Sequence, residues 1–232
     1  LRIPFVTAHS GCMDTKMNSM EYLEKATKSG VDIIEIDVSV TKNKVPILYH
    51  DEYAHIKGEK KRIKDLTYAQ LKQNEDNLLL LEEAIDYVKH KEVLLNIDIK
   101  DCLEYEVIAD TIVKKRMSER VFLTGCGGET VRKIKKLNPL IQVLLNIEKE
   151  NTEDFRKLCN IAVESFCCGV NLDYRRCTKE FVDFAHKRGL MVFVWTVDEV
   201  EAMNEIIKMG VESITTNRIR ELKEILARVW KE

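Results

Sequence analysis

Apolar and polar positions alternate with a period of two from Ile33 to Val40. Ile34, Ile36, Val38 and Val40 fall on one face, all β-branched, while the other face runs Ile33, Glu35, Asp37, Ser39. That pattern predicts a strand with one wholly apolar face and two carboxylates on the other. Two residues along a strand span roughly 6.6 Å, so both carboxylates reach toward one bound cation. Beyond a Lys42-Asn43-Lys44 turn, a second apolar run from Val45 to Tyr49 delivers His50 and Asp51.

The alternation returns at Val93 to Lys100. Val93, Leu95, Ile97 and Ile99 share one face, and Leu94, Asn96, Asp98 and Lys100 the other. Further apolar runs predict strands at Ile3 to His9, Val121 to Thr124, Ile141 to Asn146, Cys168 to Leu172, Met191 to Val197 and Ser213 to Thr216. Stretches of helical period lie between them. Asn18 with Glu21 reads as the capping box of a first helix that buries Leu23, Ala26 and Thr27, and Asp198 with Glu201 as another. Thr67 starts a short helical segment, and helices are expected at Leu81 to His90, Leu103 to Arg116, Glu129 to Leu137 and Thr152 to Val163. Thr178 caps a further helix that ends at Gly189, and Arg218 to Trp230 forms the last.

Three of these helices end in a glycine that leads straight into an apolar strand: Gly30-Val31, Gly189-Leu190 and Gly210-Val211. Such joints belong to wound α/β folds. Eight strands, each followed by at least one helix, predict a TIM (β/α)8 barrel with a small insertion after the second strand. A doubly wound open sheet is the alternative, but no GxGxxG follows any strand. No low-complexity stretch or linker divides the 232 residues, so residues 1–232 read as one domain with an insertion at about 41–66.

Composition changes this picture little. An apolar content of 45% suffices for a barrel core, and no segment has the length of a membrane span. A formal charge of -2 argues against a nucleic-acid partner. The seven cysteines are odd in number, and none are spaced CxxC. They read as mostly reduced and structural, which favours a cytoplasmic setting. The sequence opens at Leu1 and leaves the question of a removed leader open.

In a barrel the site lies at the C-terminal mouth of the strands. That rule gathers His9 from the first strand, Glu35 and Asp37 from the second, and Asp98 and Lys100 from the third, with His50 on the insertion. Three carboxylates on neighbouring strands make an oxygen-rich site for one divalent cation, Mg2+ or Ca2+. Without a cation they would repel, and one or more would take up a proton. Two histidines beside a cation supply an acid and a base.

In this order, these residues resemble the glycerophosphodiester phosphodiesterase family. Ala8-His9-Ser10-Gly11 stands at the place of its AHRG motif, Glu35-Ile36-Asp37 at its ExD and His50-Asp51 at its HD. Asp65-Leu66-Thr67, Leu81-Glu82-Glu83, Ile97-Asp98-Ile99-Lys100, Gly189 with Trp195-Thr196-Val197, and Met209-Gly210-Val211 continue the match to the last helix. The resemblance implies a TIM barrel, a divalent cation, and hydrolysis of a small-molecule glycerophosphodiester to glycerol 3-phosphate and an alcohol. It implies His9 and His50 as catalytic residues and Glu35, Asp37 and Asp98 as metal ligands. Lys100, Trp195 and Ser10 are then expected to face the substrate.

Four motifs depart from the family pattern. Ser10 replaces the arginine of AHRG, Met17 the glutamate of PENT, and Asp98 the usual glutamate of the third strand; Asn217-Arg218-Ile219 stands at the end of the closing TD-x-P. Losing the arginine removes a bidentate phosphate contact. Two other readings follow: a non-catalytic barrel that binds a phosphodiester or polyol phosphate, and a phospholipase D-like lyase on the same fold. The sequence does not specify an oligomeric state.

Overall fold

Eight parallel strands close on themselves. The structure, a computed structural model, describes residues 3–75 and 77–229. In chain order the elements begin β1 (Phe5–Ala8), α1 (Met20–Lys28) and β2 (Ile33–Val40). An insertion follows, with β3 (Pro46–Leu48), the β4 (Tyr53–Ile56) and β5 (Glu59–Arg62) hairpin, and α2 (Tyr68–Lys72). Then come α3 (Leu81–Val88), β6 (Leu94–Ile99), α4 (Tyr105–Lys114), β7 (Val121–Thr124), α5 (Gly128–Leu137), β8 (Gln142–Ile147) and α6 (Phe155–Glu164). The chain finishes with β9 (Gly169–Asp173), α7 (Lys179–Lys187), β10 (Met191–Trp195), α8 (Val200–Met209), β11 (Ser213–Thr216) and α9 (Ile219–Val229).

The sheet order is β1-β11-β10-β9-β8-β7-β6-β2, and β1 also pairs with β2, so the sheet is a closed barrel. This is the TIM barrel that the joints between helices and strands predict. Among the described residues, β3 is the one strand of this sheet that runs antiparallel, against the end of β2, with Val38 opposite Leu48. The insertion has its own apolar cluster of Ile47, Ala54, Ile56, Ile63, Leu66, Leu71 and Leu78. Thr67 caps α2 as expected, in a box with Gln70.

The period-two pattern sorts side chains into two cores. Ile34, Ile36, Val38 and Val40 join the large cluster between barrel and helices, with Leu23, Ala26 and Ile85. Ile33 instead packs inside the barrel with Leu144 and Phe193, against Leu94, Phe122 and Met191. The Phe122 and Phe193 rings meet edge to face at 5.1 Å. This apolar plug fills the barrel toward the strands' N-terminal ends. From each plug residue, steps of two along the strand lead toward the mouth: Ile33 to Glu35 and Asp37, Leu94 to Asn96 and Asp98, Leu144 to Asn146.

Two helix starts differ from expectation, and both differences matter for the site. Ser19, not Asn18, caps α1, accepting from the Tyr22 amide at 3.1 Å. Asn18 adopts φ 56° and turns its side chain to Asp37. Glu199 stands at the start of α8 without a side-chain cap, because Asp198 spends its carboxylate on Thr216 and Asn217. Gly210 ends α8 in the left-handed region, φ 83°, where a side chain would be strained. Elsewhere boundaries move by a few residues: α6 starts at Phe155 because Asp154 caps it. Trp230, expected in the last helix, lies outside the described residues. Among those residues no helix is long and apolar enough to cross a membrane.

Candidate active site

The mouth of the barrel opens into a cavity of about 250 Å³. Its walls include His9, Glu35, Asp37, His50, Asp98 and Lys100, brought from four segments of the chain to one place. Strand register does much of this. β2 and β6 pair with Asp37 opposite Asp98 and Glu35 opposite Asn96, so the acidic faces of both strands point the same way.

Glu35 and Asp37 are buried, and Asp98 is half-buried. Their ligand oxygens lie within 4.8 Å of one another. Each buried carboxylate is held in place. The Ser10 amide donates to Glu35 Oε2 at 2.8 Å. Asp37 Oδ2 accepts from the Ser10 hydroxyl at 2.7 Å and from Asn18 Nδ2 at 2.8 Å. Asn18 Oδ1 in turn accepts from the Asp37 amide at 3.0 Å. Thr124 Oγ1 donates to Asp98 Oδ1 at 2.8 Å. Below them, the Tyr22 hydroxyl lies 2.8 Å from the carbonyls of both Ala8 and Glu35, tying the end of β1 to the body of β2.

Lys100 bridges two of the three acids, with Nζ 2.7 Å from Asp37 Oδ1 and 2.6 Å from Asp98 Oδ2. Burial disfavours its charge, but Asp98 and Asp37 outweigh burial and hold the ammonium above the ordinary lysine range. Burial also pushes the Asp37 carboxyl upward. Lys100, with hydrogen bonds from Asn18 and Ser10, overcomes that and leaves it below its usual value. Glu35 goes the other way: burial, then the charges of Asp37 and Asp98, raise its carboxyl well above the usual range. The burial and clustered negative charge that raise Glu35 would both be eased by a cation placed among the three acids. The site's donors are all carboxylate oxygens, the set preferred by hard divalent ions.

The two histidines have unlike partners. His9 Nδ1 is 2.9 Å from Asn217 Oδ1, and Asn217 Nδ2 donates to Asp198 Oδ2 at 2.7 Å. His50 Nδ1 is 2.8 Å from Asp51 Oδ1. Both rings line the cavity.

Of the residues expected at the site, His9, Glu35, Asp37, His50, Asp98, Lys100 and Trp195 all line this cavity. Ser10 does not. It is 2% exposed, and its hydroxyl is committed to Asp37, so it supports an acid where a substrate contact was expected. Met17 stands 43% exposed on a neighbouring groove with Leu48, Tyr49 and Leu78. Lys16 pairs with Glu75 at 2.9 Å and so joins the loop after β1 to the insertion.

Sequence reading passed over a band of uncharged polar residues in the same wall: Asn96, Thr124, Asn146 and Asn171. Thr124 Oγ1 also lies 3.1 Å from Asn96 Oδ1, and Asn171 Nδ2 donates to Asn146 Oδ1 at 2.9 Å. Glu148 extends the band, its carboxyl raised by burial and by Asp98. A signal existed, since an asparagine in the middle of an apolar strand has a face to point into. Asp198 and Asn217 were missed because Asp198 reads equally well as a helix cap.

The glycerophosphoryl diester phosphodiesterase family model matches residues 8–221. A glycerophosphodiester phosphodiesterase of Caldanaerobacter subterraneus subsp. tengcongensis is 27% identical over 231 residues, covering 91% of this chain and 93% of that relative. A putative glycerophosphodiester phosphodiesterase from Galdieria sulphuraria shares the fold with a TM-score of 0.87 at 21% identity, covering 98% of this chain and 99% of its own. An Oleispira antarctica phosphodiesterase, solved with the product sn-glycerol-3-phosphate, gives a TM-score of 0.81 at 18% identity, each chain covered to 97%.

Proposed function

The chain belongs to the glycerophosphoryl diester phosphodiesterase family and is a phosphodiester hydrolase. From that premise we propose that it hydrolyses glycerophosphodiesters to glycerol 3-phosphate and an alcohol, with one divalent cation, Mg2+ or Ca2+, held by Glu35, Asp37 and Asp98. The convergence of three carboxylates, one lysine and two histidines on one cavity carries the reading. The product-bound Oleispira relative supports the substrate class.

When bound, the cation supplies positive charge against the non-bridging phosphate oxygens. Lys100 adds a second positive group on the same wall and opposes the negative charge that builds up there. His9 and His50 divide the proton transfers, one taking a proton from the attacking hydroxyl and the other giving one to the leaving oxygen. Trp195 and the polar band from Asn96 to Asn171 border the space left for the glycerol part. With Ser10 turned to Asp37, phosphate binding in this chain falls to Lys100 and the cation in place of an arginine.

A panel of glycerophosphodiesters assayed with Mg2+, Ca2+ and Mn2+ tests the reading. Release of glycerol 3-phosphate with the free alcohol is expected, and chelation should stop it. A lasting cyclic phosphate would mark a lyase instead. No turnover with any diester or cation would mark a binding protein and overturn the proposal.

A further inference from the structure

The polar band in the cavity wall has an order that begins at Glu148, on the rim just past the end of β8. An ionised carboxylate can only accept, so Glu148 takes an N–H from Asn146 Nδ2. That fixes the other end of the Asn146 amide: its Oδ1 accepts from Asn171 Nδ2 at 2.9 Å. The Asn171 amide is oriented in turn, with its nitrogen toward Asn146 and its carbonyl oxygen left over. Asn171 is 6% exposed and lines the cavity, and among the described residues it makes no other side-chain hydrogen bond. A buried carbonyl oxygen without a partner costs free energy until a donor reaches it.

Its place in the barrel says what that donor is. In the closed strand order, β9 lies four strands from β2 in either direction, so Asn171 faces Glu35 and Asp37 from across the cavity. A diester whose phosphate sits at the acids and Lys100 extends its far end toward β9. Asn171 also stands beside Phe193 in the register of β9 with β10, at the edge of the apolar plug of Ile33, Leu144 and Phe193. A cavity of about 250 Å³ takes a three-carbon polyol there, and the plug beneath closes the way to a longer chain.

We propose that Asn171 is the specificity residue for the glycerol part of the substrate. Its Oδ1 accepts from the terminal hydroxyl, the one farthest from the phosphate, and Asn146 and Glu148 are positioning residues that aim it. The substrate is then a diester whose glycerol is unacylated. In a 1-acyl lysophospholipid that same oxygen carries the chain and has no proton to give, so Asn171 is left unpaired. The assignment deepens the phosphodiesterase reading above and rests on it.

Two ethyl phosphodiesters test it: that of sn-glycerol 3-phosphate, and that of propane-1,2-diol 1-phosphate, which keeps the hydroxyl next to the phosphate-bearing carbon and lacks only the terminal one. Wild-type kcat/KM should be roughly 10- to 100-fold lower on the propanediol ester, because the Asn171 oxygen stays unpaired. Asn171→Leu should lose most of that ratio. Glu148→Gln, which can turn either end to Asn146, should lose part of it; a merely structural role for Glu148 would lower both esters alike. A 1-palmitoyl lysophosphatidylethanolamine should be turned over no faster than the propanediol ester. A wild-type ratio near one, a ratio that survives Asn171→Leu in a folded protein, or a lysolipid turned over as fast as the glycerol ester would overturn the assignment. Where Asn171→Leu does not fold, the wild-type ratio and Glu148→Gln still decide. If wild-type protein turned over no ester, the phosphodiesterase reading would fail on its own. Calorimetry with glycerol 3-phosphate against propane-1,2-diol 1-phosphate would then still test Asn171, and equal affinities would sink it.

Discussion

The Ser10 hydroxyl donates to Asp37 Oδ2 at 2.7 Å, so the residue at the family's arginine position serves an acid and is not part of the cavity's lining. Outer partners of a metal ligand fix its direction, and losing one typically costs 10- to 100-fold in metal affinity. Ser10→Ala should therefore weaken divalent-cation binding by about tenfold while leaving the fold intact. Titration calorimetry with Mg2+ and Ca2+ checks this; unchanged affinity would show that Asn18 and Lys100 hold Asp37 without help.

Asn18 makes a tighter clasp. It donates to Asp37 Oδ2, accepts from the Asp37 amide, and does both from φ 56°, a region that asparagine tolerates better than alanine. Asn18→Ala should destabilise the protein by about 2–4 kcal/mol, from one charge-assisted hydrogen bond, one neutral bond and backbone strain. Urea unfolding in the presence of chelator measures it. A change under about 0.5 kcal/mol, the size of an ordinary surface substitution, would mean that the clasp is replaced by other contacts.

Much of this site was legible because barrel geometry turns strand period into position. Glu35, Asp37 and Asp98 lie an even number of residues from an inward plug residue, and that parity alone puts them on the cavity side. The rule that a barrel's site lies at the strands' C-terminal mouth gathered His9 and His50 as well, and the family motifs then matched both. What was not legible is where short polar side chains spend their hydrogen bonds. Asn18 and Asp198 both precede helices, and a cap was the local choice for each. The long-range partner won in each case: Asp37, buried and charged, for Asn18, and Asn217 for Asp198. Ser10 shows the same limit, since a motif position does not say which way a side chain turns.

Glu35 is raised well above the ordinary carboxylate range by burial and by two acidic neighbours. A divalent cation binding here should stabilise the folded protein by mass action, because the unfolded chain has no such cluster. Thermal scans should show Tm rising with Mg2+ or Ca2+. Glu35→Gln keeps an oxygen for the Ser10 amide but removes the charge, so it should keep the fold, lose the cation-dependent rise in Tm and abolish turnover. A Glu35→Gln protein with wild-type Tm shifts would remove this residue from the metal site.

Gly125, just past the end of β7, has φ 81°. A β-carbon there would come within 2.3 Å of the Ile99 carbonyl oxygen and 3.0 Å of Asp98 Oδ1. Neither the backbone of β6 nor the Asp98 carboxylate can yield cheaply. Gly125→Ala should cost upwards of about 2 kcal/mol, from backbone strain and overpacking together. It should also lower cation affinity by displacing Asp98. Denaturant midpoints and calorimetry on one variant read both effects, and a loss of stability with unchanged affinity would detach Gly125 from the site.

Lys100 holds Asp37 and Asp98 together with its ammonium, 2.7 and 2.6 Å away. A cation on the same oxygens must share them with that ammonium, so the two compete for the acids even as both attract phosphate. Lys100→Met removes one competitor and keeps most of the apolar stem. In chelator, the variant should melt below wild type, because three clustered carboxylates lose their counter-charge. With saturating Mg2+ or Ca2+, its gain in Tm should exceed that of wild type. Turnover should still fall by roughly 10²- to 10³-fold, since the cation alone then faces the phosphate. Equal gains in Tm for the two proteins would show that the ammonium swings clear of the acids when the cation binds.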